Sequence, residues 1–332
     1  MLEKKFLVIG SNSFTGSHFI DFLIKKDYQC LGVSRSKEKP EEFLAYKWNK
    51  DYKKKFKFKK IDLNKDIEKL VEIISKEKIS YIVNFAAQSM VGQSWIYPED
   101  WYKTNLVSTS KFLNRIKDLD FIKSYVSVTT PEVYGSTKGW VTESFNFNPS
   151  TPYAISRAAQ DMHLKSLFDS FSFPVKFTRA ANVYGPGQSL YRIIPRTFLE
   201  GLDKGKLVLD GGGDSERVFI HAQDVADATL KIALKGKNGS TYHISGNMIV
   251  SIKKLVKLIC ELIDVDFNEL VELGPDRLGK DNSYFLNSNK LITELNWKEK
   301  ISLKEGLDQT YSWVKDNFSF LKKHPRDYKH KK

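Results

Sequence analysis

The chain has 332 residues, 41% of them apolar, and 53 Lys and Arg against 40 Asp and Glu, a formal net charge of +13. That length is too great for one compact core and suits a large domain with a smaller one. No run of about 18 apolar residues is present, which argues against a membrane-spanning helix, and Cys30 and Cys260 are too few for a disulfide framework. The positive charge could draw in nucleic acid or phosphorylated small molecules. The lysines are spread along the whole chain, however, with no arginine-rich arm and no zinc-ligand spacing. They read as solvated surface, and nucleic acid is not expected as a partner. Met1 to Phe6 run straight into a strand pattern, so no signal peptide and a cytoplasmic location are expected.

Lys5 to Ile9 is a short apolar run of the kind found in a buried parallel strand. Gly10-Ser-Asn-Ser-Phe-Thr-Gly16 follows, and then a helical pattern from Ser17 to Ile24. A glycine turn between strand and helix lets a pyrophosphate approach the helix N-terminus, where unpaired N–H groups and the dipole favour anions. Gly10, Asn12, Ser13, Phe14, Thr15 and Gly16 are therefore candidate cofactor-binding residues. The second strand, Gln29 to Val33, ends in Ser34-Arg35-Ser36. An acid near this place would bind ribose hydroxyls, whereas an Arg accommodates a 2′-phosphate, so the expected cofactor is NADP, with NAD as the alternative.

Lys53 to Lys60 alternates Lys with Phe56 and Phe58, the pattern of a half-exposed strand with core-facing Phe residues. RNA stacking on those rings is the weaker alternative. Asp62 and Leu63 come next, where an adenine contact is expected. A helix over Ile67–Lys76 and a buried strand over Ile79–Phe85 lead into Ala86 and Ala87, small enough for close approach of a ligand. Asn105, in a helical stretch, reads equally as an exposed polar group. The alternation of strand and helix up to about residue 135 predicts an α/β fold with a doubly wound parallel sheet.

A strand pattern over Tyr125–Val128 ends in Thr129-Thr130-Pro131-Glu132, and after a turn-rich excursion Tyr153-Ala-Ile-Ser-Arg157 opens a helix. Residues i and i+4 share a helix face, so the Arg157 cation is expected to favour the Tyr153 phenolate. The second half alternates less regularly, with helices expected near Ile194–Asp203, Lys253–Ile263 and Leu303–Val314. His163, His221 and His243 are scattered and no metal site is expected. The segment His324 to Lys332 is polar and basic and is expected to fray.

The Gly10 loop, Asn84-Phe-Ala-Ala-Gln-Ser89, Thr130-Pro-Glu-Val-Tyr-Gly135 and Tyr153-x-x-x-Arg157 together resemble the extended short-chain dehydrogenase/reductase family. The closest subgroup is the nucleotide-sugar 4,6-dehydratases, such as those acting on dTDP-glucose and GDP-mannose. Arg179-Ala-Ala-Asn-Val-Tyr-Gly-Pro-Gly187, the stretch Arg217 to Val225, Asp276 to Asp281 and Leu303 to Trp313 carry the likeness through nearly the whole chain.

The resemblance implies a Rossmann-type domain over residues 1–178, to which about 215–245 return. It also implies a substrate lobe over 179–325, a basic tail over 326–332, and a homodimer or homotetramer. It makes Tyr153 the oxidation base, Thr130 the group that orients the sugar C4 oxygen, and Glu132 the base at C5, with Arg157 beside Tyr153 at the cofactor. Phe85, Ala86 and Ala87 would line the cofactor, and Gln88, Ser89, Asn182, Arg192, Arg217 and Arg277 the nucleotide-sugar, since Arg suits bidentate phosphate contacts. Two positions depart from the family. Pro131 stands where the dTDP-glucose enzymes have an acid, and Arg157 where the family has Lys. An epimerase, a UDP-glucuronate decarboxylase and a non-catalytic nucleotide- or RNA-binding relative remain alternatives.

Overall fold

The computed structural model describes residues 4–275 and 285–331. Seven strands form one parallel sheet: β1 (Lys5–Ile9), β2 (Gln29–Ser34), β3 (Phe56–Lys60), β4 (Tyr81–Asn84), β5 (Ser124–Thr129), β6 (Val175–Ala180) and, later in the chain, β9 (Thr241–Ile244). Their spatial order is β9-β6-β5-β4-β1-β2-β3. Phe6, Leu7, Val8 and Ile9 are all buried, as a strand covered on both faces requires. The order doubles back between β1 and β4, which opens a crevice outside their C-terminal ends.

Helices cover both faces. On one, α1 (Phe14–Lys25) and α6 (Ala222–Lys235) meet through Phe19, Ile20, Leu23, Ala226, Leu230 and Ala233. On the other, α2 (Ile67–Glu77), α3 (Thr109–Ile116) and α4 (Pro152–Phe171) bury Leu70, Ile74, Phe112, Leu113, Leu164 and Leu167. Helix α4 starts sharply because the Thr151 hydroxyl accepts the Ala154 N–H at 3.1 Å and Pro152 takes the first turn. A cap of this type is worth about 1 kcal/mol.

The second half adds a lobe around α5 (Ile193–Leu202), α7 (Ile252–Ile263) and α8 (Leu303–Asp316), with Phe198, Leu255, Ile259, Leu307 and Val314 in its core. A small sheet joins it, with β10 (Ile249–Ser251) beside β8 (Glu216–His221) and β8 beside β7 (Asn182–Tyr184).

Three expectations are corrected. The lysine-rich stretch becomes a strand only from Phe56, because Tyr52–Lys55 makes a helical turn; Phe56 faces the core as its alternation demands. Asn105 is fully buried, in the wider π-helical turn Tyr102–Ser108. The C-terminal segment does not fray: Arg326, Asp327, Tyr328 and His330 all find partners on the body of the protein. Among the described residues no helix is long and apolar enough to cross a membrane.

Candidate active site

The crevice at the β1–β4 switch is shaped by close backbone contacts. Gly10 has φ +84°, and a Cβ there would lie 2.7 Å from Ala86 N and 2.8 Å from Phe85 C. At Gly16 a Cβ would meet the Gly10 carbonyl oxygen at 2.5 Å. Ser13 takes the place of a central glycine and caps α1, its hydroxyl accepting the Gly16 N–H at 3.0 Å. Phe14 packs edge-on against His18, and Thr15 is half-buried in the first turn.

Asn12 fastens this loop to the end of β2. Its N–H donates to Ser34 Oγ at 3.0 Å and its Nδ2 to the Ser36 and Lys37 carbonyls at 3.1 and 2.9 Å. Arg35 therefore stands half-buried at the edge of the loop that opens α1. At the end of β3 Leu63 is buried, and Asp62 closes its own turn by accepting the Asn64 N–H at 2.9 Å. Across the crevice Ala86 N–H donates to Asn84 Oδ1 at 2.9 Å, leaving Ala86 and Ala87 as a small-residue wall. A backbone cradle at a helix N-terminus beside small residues fits a dinucleotide.

At the end of β5 the chain makes one tight turn, Pro131–Tyr134. Thr130 caps it, its hydroxyl accepting the Glu132 N–H at 3.3 Å. Pro131 occupies the first position of the turn, where its fixed φ suits the geometry and no N–H is needed. Pro131 thus stiffens the turn that carries Glu132.

Tyr153 is 8% exposed, bonded to the Thr130 hydroxyl and within electrostatic reach of Glu132, Arg157 and Arg192. Burial raises the phenol above its ordinary value and Glu132 adds to that. Arg157, the Thr130 bond and Arg192 pull it down without reversing the shift. The Arg157 charge does favour the phenolate, as its place one helical turn on implies, but burial outweighs it. Arg157 is itself buried, and donates to the Val128 carbonyl at the end of β5.

Behind the turn lies a polar network that sequence reasoning missed. Asp161 Oδ2 accepts from Thr129 Oγ1 at 3.0 Å and from Arg179 Nη2 at 2.9 Å. Arg179 Nη1 donates to the Tyr134 hydroxyl at 2.6 Å, and that oxygen lies 2.8 Å from His243 Nε2. Burial raises the Asp161 carboxyl, against the pull of Arg179 and Arg157. Burial pushes His243 down to about 3, and Arg179 adds to the shift. Asn105 plays a similar supporting part, holding Gln88 by its N–H at 2.8 Å and its carbonyl at 2.9 Å while reaching Ser156 Oγ at 2.9 Å.

The expected substrate residues divide. Gln88 and Arg192 flank the cleft; Arg192 is exposed at the start of α5, close enough for its charge to act on Tyr153. Ser89 is exposed beside Gln88. Asn182 and Arg217 lie on neighbouring strands of the small sheet. Asn182 Nδ2 donates to the Val218 carbonyl at 3.4 Å, and Arg217 Nη1 to the Glu216 carbonyl at 2.7 Å. Arg277 lies outside the described residues. No group of three or more His, Cys, Asp or Glu among the described residues is placed to hold a metal ion.

The chain is similar to known nucleotide-sugar enzymes along most of its length. The human dTDP-D-glucose 4,6-dehydratase is 30% identical over 327 residues, which cover 95% of this chain and 91% of the human protein. The crystal structure of the dTDP-glucose 4,6-dehydratase DesIV from Streptomyces venezuelae, with NAD bound, superimposes with a TM-score of 0.88. It is 28% identical, and the match covers 95% of this chain and 98% of that one. The UDP-glucose 4-epimerase of Thermotoga maritima superimposes almost as well, with a TM-score of 0.85 at 26% identity over 95% and 99% of the two chains. The fold alone thus does not separate dehydratase from epimerase. The family model for GDP-mannose 4,6-dehydratase matches residues 7–310. The chain belongs to the GDP-mannose 4,6-dehydratase family, the nucleotide-sugar 4,6-dehydratases of the short-chain dehydrogenase/reductase fold.

Proposed function

We propose that this enzyme converts an NDP-hexose to an NDP-4-keto-6-deoxyhexose in one site, with Tyr153 and Glu132 moving the protons and Thr130 and Arg157 supporting them. The observation that carries this is the meeting of Thr130, Glu132 and Arg157 around the Tyr153 phenol at the mouth of the crevice. A nicotinamide dinucleotide, held by the Gly10–Gly16 loop, Ser34, Arg35, Asp62, Leu63 and Phe85–Ala87, supplies a hydride acceptor that later gives the hydride back.

Tyr153 takes the C4 hydroxyl proton while Thr130 orients that oxygen. The C4 ketone acidifies C5–H. Glu132 removes that proton and delivers it to the departing C6 hydroxyl, since Pro131 has no proton to give, and C5 regains a proton from solvent when C6 is reduced. These are general acid–base roles that require hydrogen-bond reach. Arg157 contributes a fixed positive charge near the phenol, and a guanidinium is too strong a base to relay protons. Arg192, with Gln88, Ser89, Asn182, Arg217 and Arg277, is assigned to the nucleotide-sugar.

Arg35 supports NADP through its fork of donors for a 2′-phosphate. NAD is the second reading, because the Streptomyces relative binds it. Mass spectrometry of the extracted cofactor, repeated on Arg35→Ala, decides between them; stoichiometric NAD with no preference lost in the variant would reject NADP. The division of labour follows the crevice. Residues 1–178 and about 215–245 hold the dinucleotide, and the rest of 179–325 closes on the sugar. A homodimer or homotetramer is the proposed assembly, supported by exposed Val107, Ile155 and Met162 on the adjoining segments Tyr102–Ser108 and α4, and the cytoplasm is the proposed location.

The reaction is tested with GDP-, dTDP-, UDP- and CDP-hexoses deuterated at C4. The label should move to C6 in a product lighter by one water. Deuterium kept at C4 with no loss of water would replace the dehydratase with an epimerase, and release of carbon dioxide from a glucuronate substrate would indicate a decarboxylase.

A further inference from the structure

The C-terminal segment crosses from the lobe to the sheet domain and ends against Gln88, at one side of the crevice. At the lobe, Arg326 pairs with Glu200 at 2.6 Å and with Asp203, Asp327 meets Arg196 at 3.3 Å, and Tyr328 packs edge-on against Tyr191. At the sheet domain, His330 lies nearly parallel to Tyr97 and Trp101, its ring centroid 4.9 and 5.1 Å from theirs. Its Nε2 is 2.7 Å from Asp100 Oδ2. The next residue, Lys331, receives the Gln88 side-chain N–H on its carbonyl at 2.8 Å. Aromatic packing and a charged acceptor on one ring make a specific seat rather than a loose contact.

Gln88 directly follows the Ala86–Ala87 wall, and its backbone is pinned by Asn105, so Lys331 is fixed against one side of the crevice. The other side is the loop after β2, which Asn12 ties to the glycine turn. The segment reaches that side as well. Burial raises the Tyr328 phenol and the charges of Arg35 and Arg192 act on it from nearby, while the Lys331 charge is felt at Lys39. The segment carries Arg326, Lys329 and Lys331 against the single acid Asp327, a sign that suits a diphosphate beneath it.

We propose that residues 326–331 form a strap across the dinucleotide groove, latched by His330 in the Tyr97–Asp100–Trp101 seat, which holds the dinucleotide in place between the outgoing and returning hydride steps. This rests on the reading of the crevice as a nicotinamide dinucleotide site. A cycle that takes a hydride from C4 and returns it to C6 fails if the reduced dinucleotide leaves midway, so slow exit has a use here.

The test compares the full chain, a chain ending at His324, and His330→Ala, each loaded with NAD or NADP. Dinucleotide exit is followed by absorbance after rapid dilution, and bound dinucleotide is counted after desalting. Both variants should release the dinucleotide at least about tenfold faster, a change of roughly 1.4 kcal/mol. His330→Ala leaves the Arg326 ion pairs in place, so it reports on the latch even where the shortened chain is unstable. Exit within twofold of the full chain in the folded variants overturns the strap while leaving the function reading intact. Slower exit overturns it too, and makes the segment a competitor for the groove. A full chain that takes up no NAD or NADP in a direct titration overturns both readings.

Discussion

Helix Pro152–Phe171 carries Tyr153, Arg157 and Asp161 at successive i, i+4 positions, and the two ends of that row treat charge differently. At the front, Tyr153 and Arg157 meet Glu132, which is half-buried at the cleft. Opposing influences act there on one phenol. At the back, Asp161 and Arg179 are both wholly buried and paired, and Arg179 also lies over the Tyr134, Phe145 and Phe147 rings. The contrast separates two uses of a buried polar group. The front sets opposing charges around one phenol at the cleft, whereas the back pairs its charges with each other inside the protein, behind the turn that presents Glu132. Tyr134, two residues beyond Glu132, connects the two ends.

Breaking the front should cost the most. Glu132→Gln removes the only carboxylate on the turn and should lower water loss by roughly 10²–10⁴-fold. C4 oxidation should survive, because Tyr153 and Thr130 handle that step. Single-turnover absorbance of the reduced nicotinamide separates the two. Reduction without water loss is expected, and a variant that dehydrates normally would remove Glu132 from the mechanism.

Breaking the back should appear first as lost stability. Asp161→Asn leaves the Arg179 charge buried without its counter-ion, which typically costs about 3–5 kcal/mol. Denaturant unfolding measures it. A loss below about 1 kcal/mol would show that the aromatic rings and Tyr134 already satisfy Arg179.

A subtler probe is His243. Its folded pKa is about 3 against an ordinary value of 6.5. Below pH ~6.5 the unfolded chain takes up a proton that the folded one refuses, so stability falls as pH falls through that window. His243→Asn should flatten the slope of stability against pH between about 6 and 4 by up to roughly 1.4 kcal/mol per pH unit. An unchanged slope would mean that the ring is not held neutral.

The front of the site was legible in the sequence and the back was not, for a physical reason. Buried strands announce themselves as apolar runs, a glycine turn sits at a fixed place between strand and helix, and Tyr153 and Arg157 are one helical turn apart. The back joins positions that only folding brings together. Arg179 lies 45 residues from Tyr134, and Tyr134 lies 109 from His243. Asn105 was hidden because a π-turn shifts which side of the helix faces inward. His330 read as part of a polar tail because its partner Asp100 lies 230 positions earlier. Local composition describes solvation and carries no record of such a seat.

Arg157 tests where front and back meet, and its replacement should have the smallest effect. The guanidinium lies between Tyr153, one turn before it, and Asp161, one turn after, and it also grips the Val128 carbonyl. Lys keeps the charge that opposes the rise in the phenol pKa, yet has a single point of donation in place of a fork. Arg157→Lys should therefore keep hydride transfer within about tenfold of the parent, or about 1.4 kcal/mol. Arg157→Met should move the rising, acid-side limb of kcat/KM to higher pH, because the phenol, which must lose its proton to act as the base, then loses a cation that favours the phenolate while burial and Glu132 still raise its pKa. A Lys variant that folds, binds the dinucleotide and transfers no hydride would show that this site is built around the guanidinium shape, and that front and back form one unit joined through Arg157.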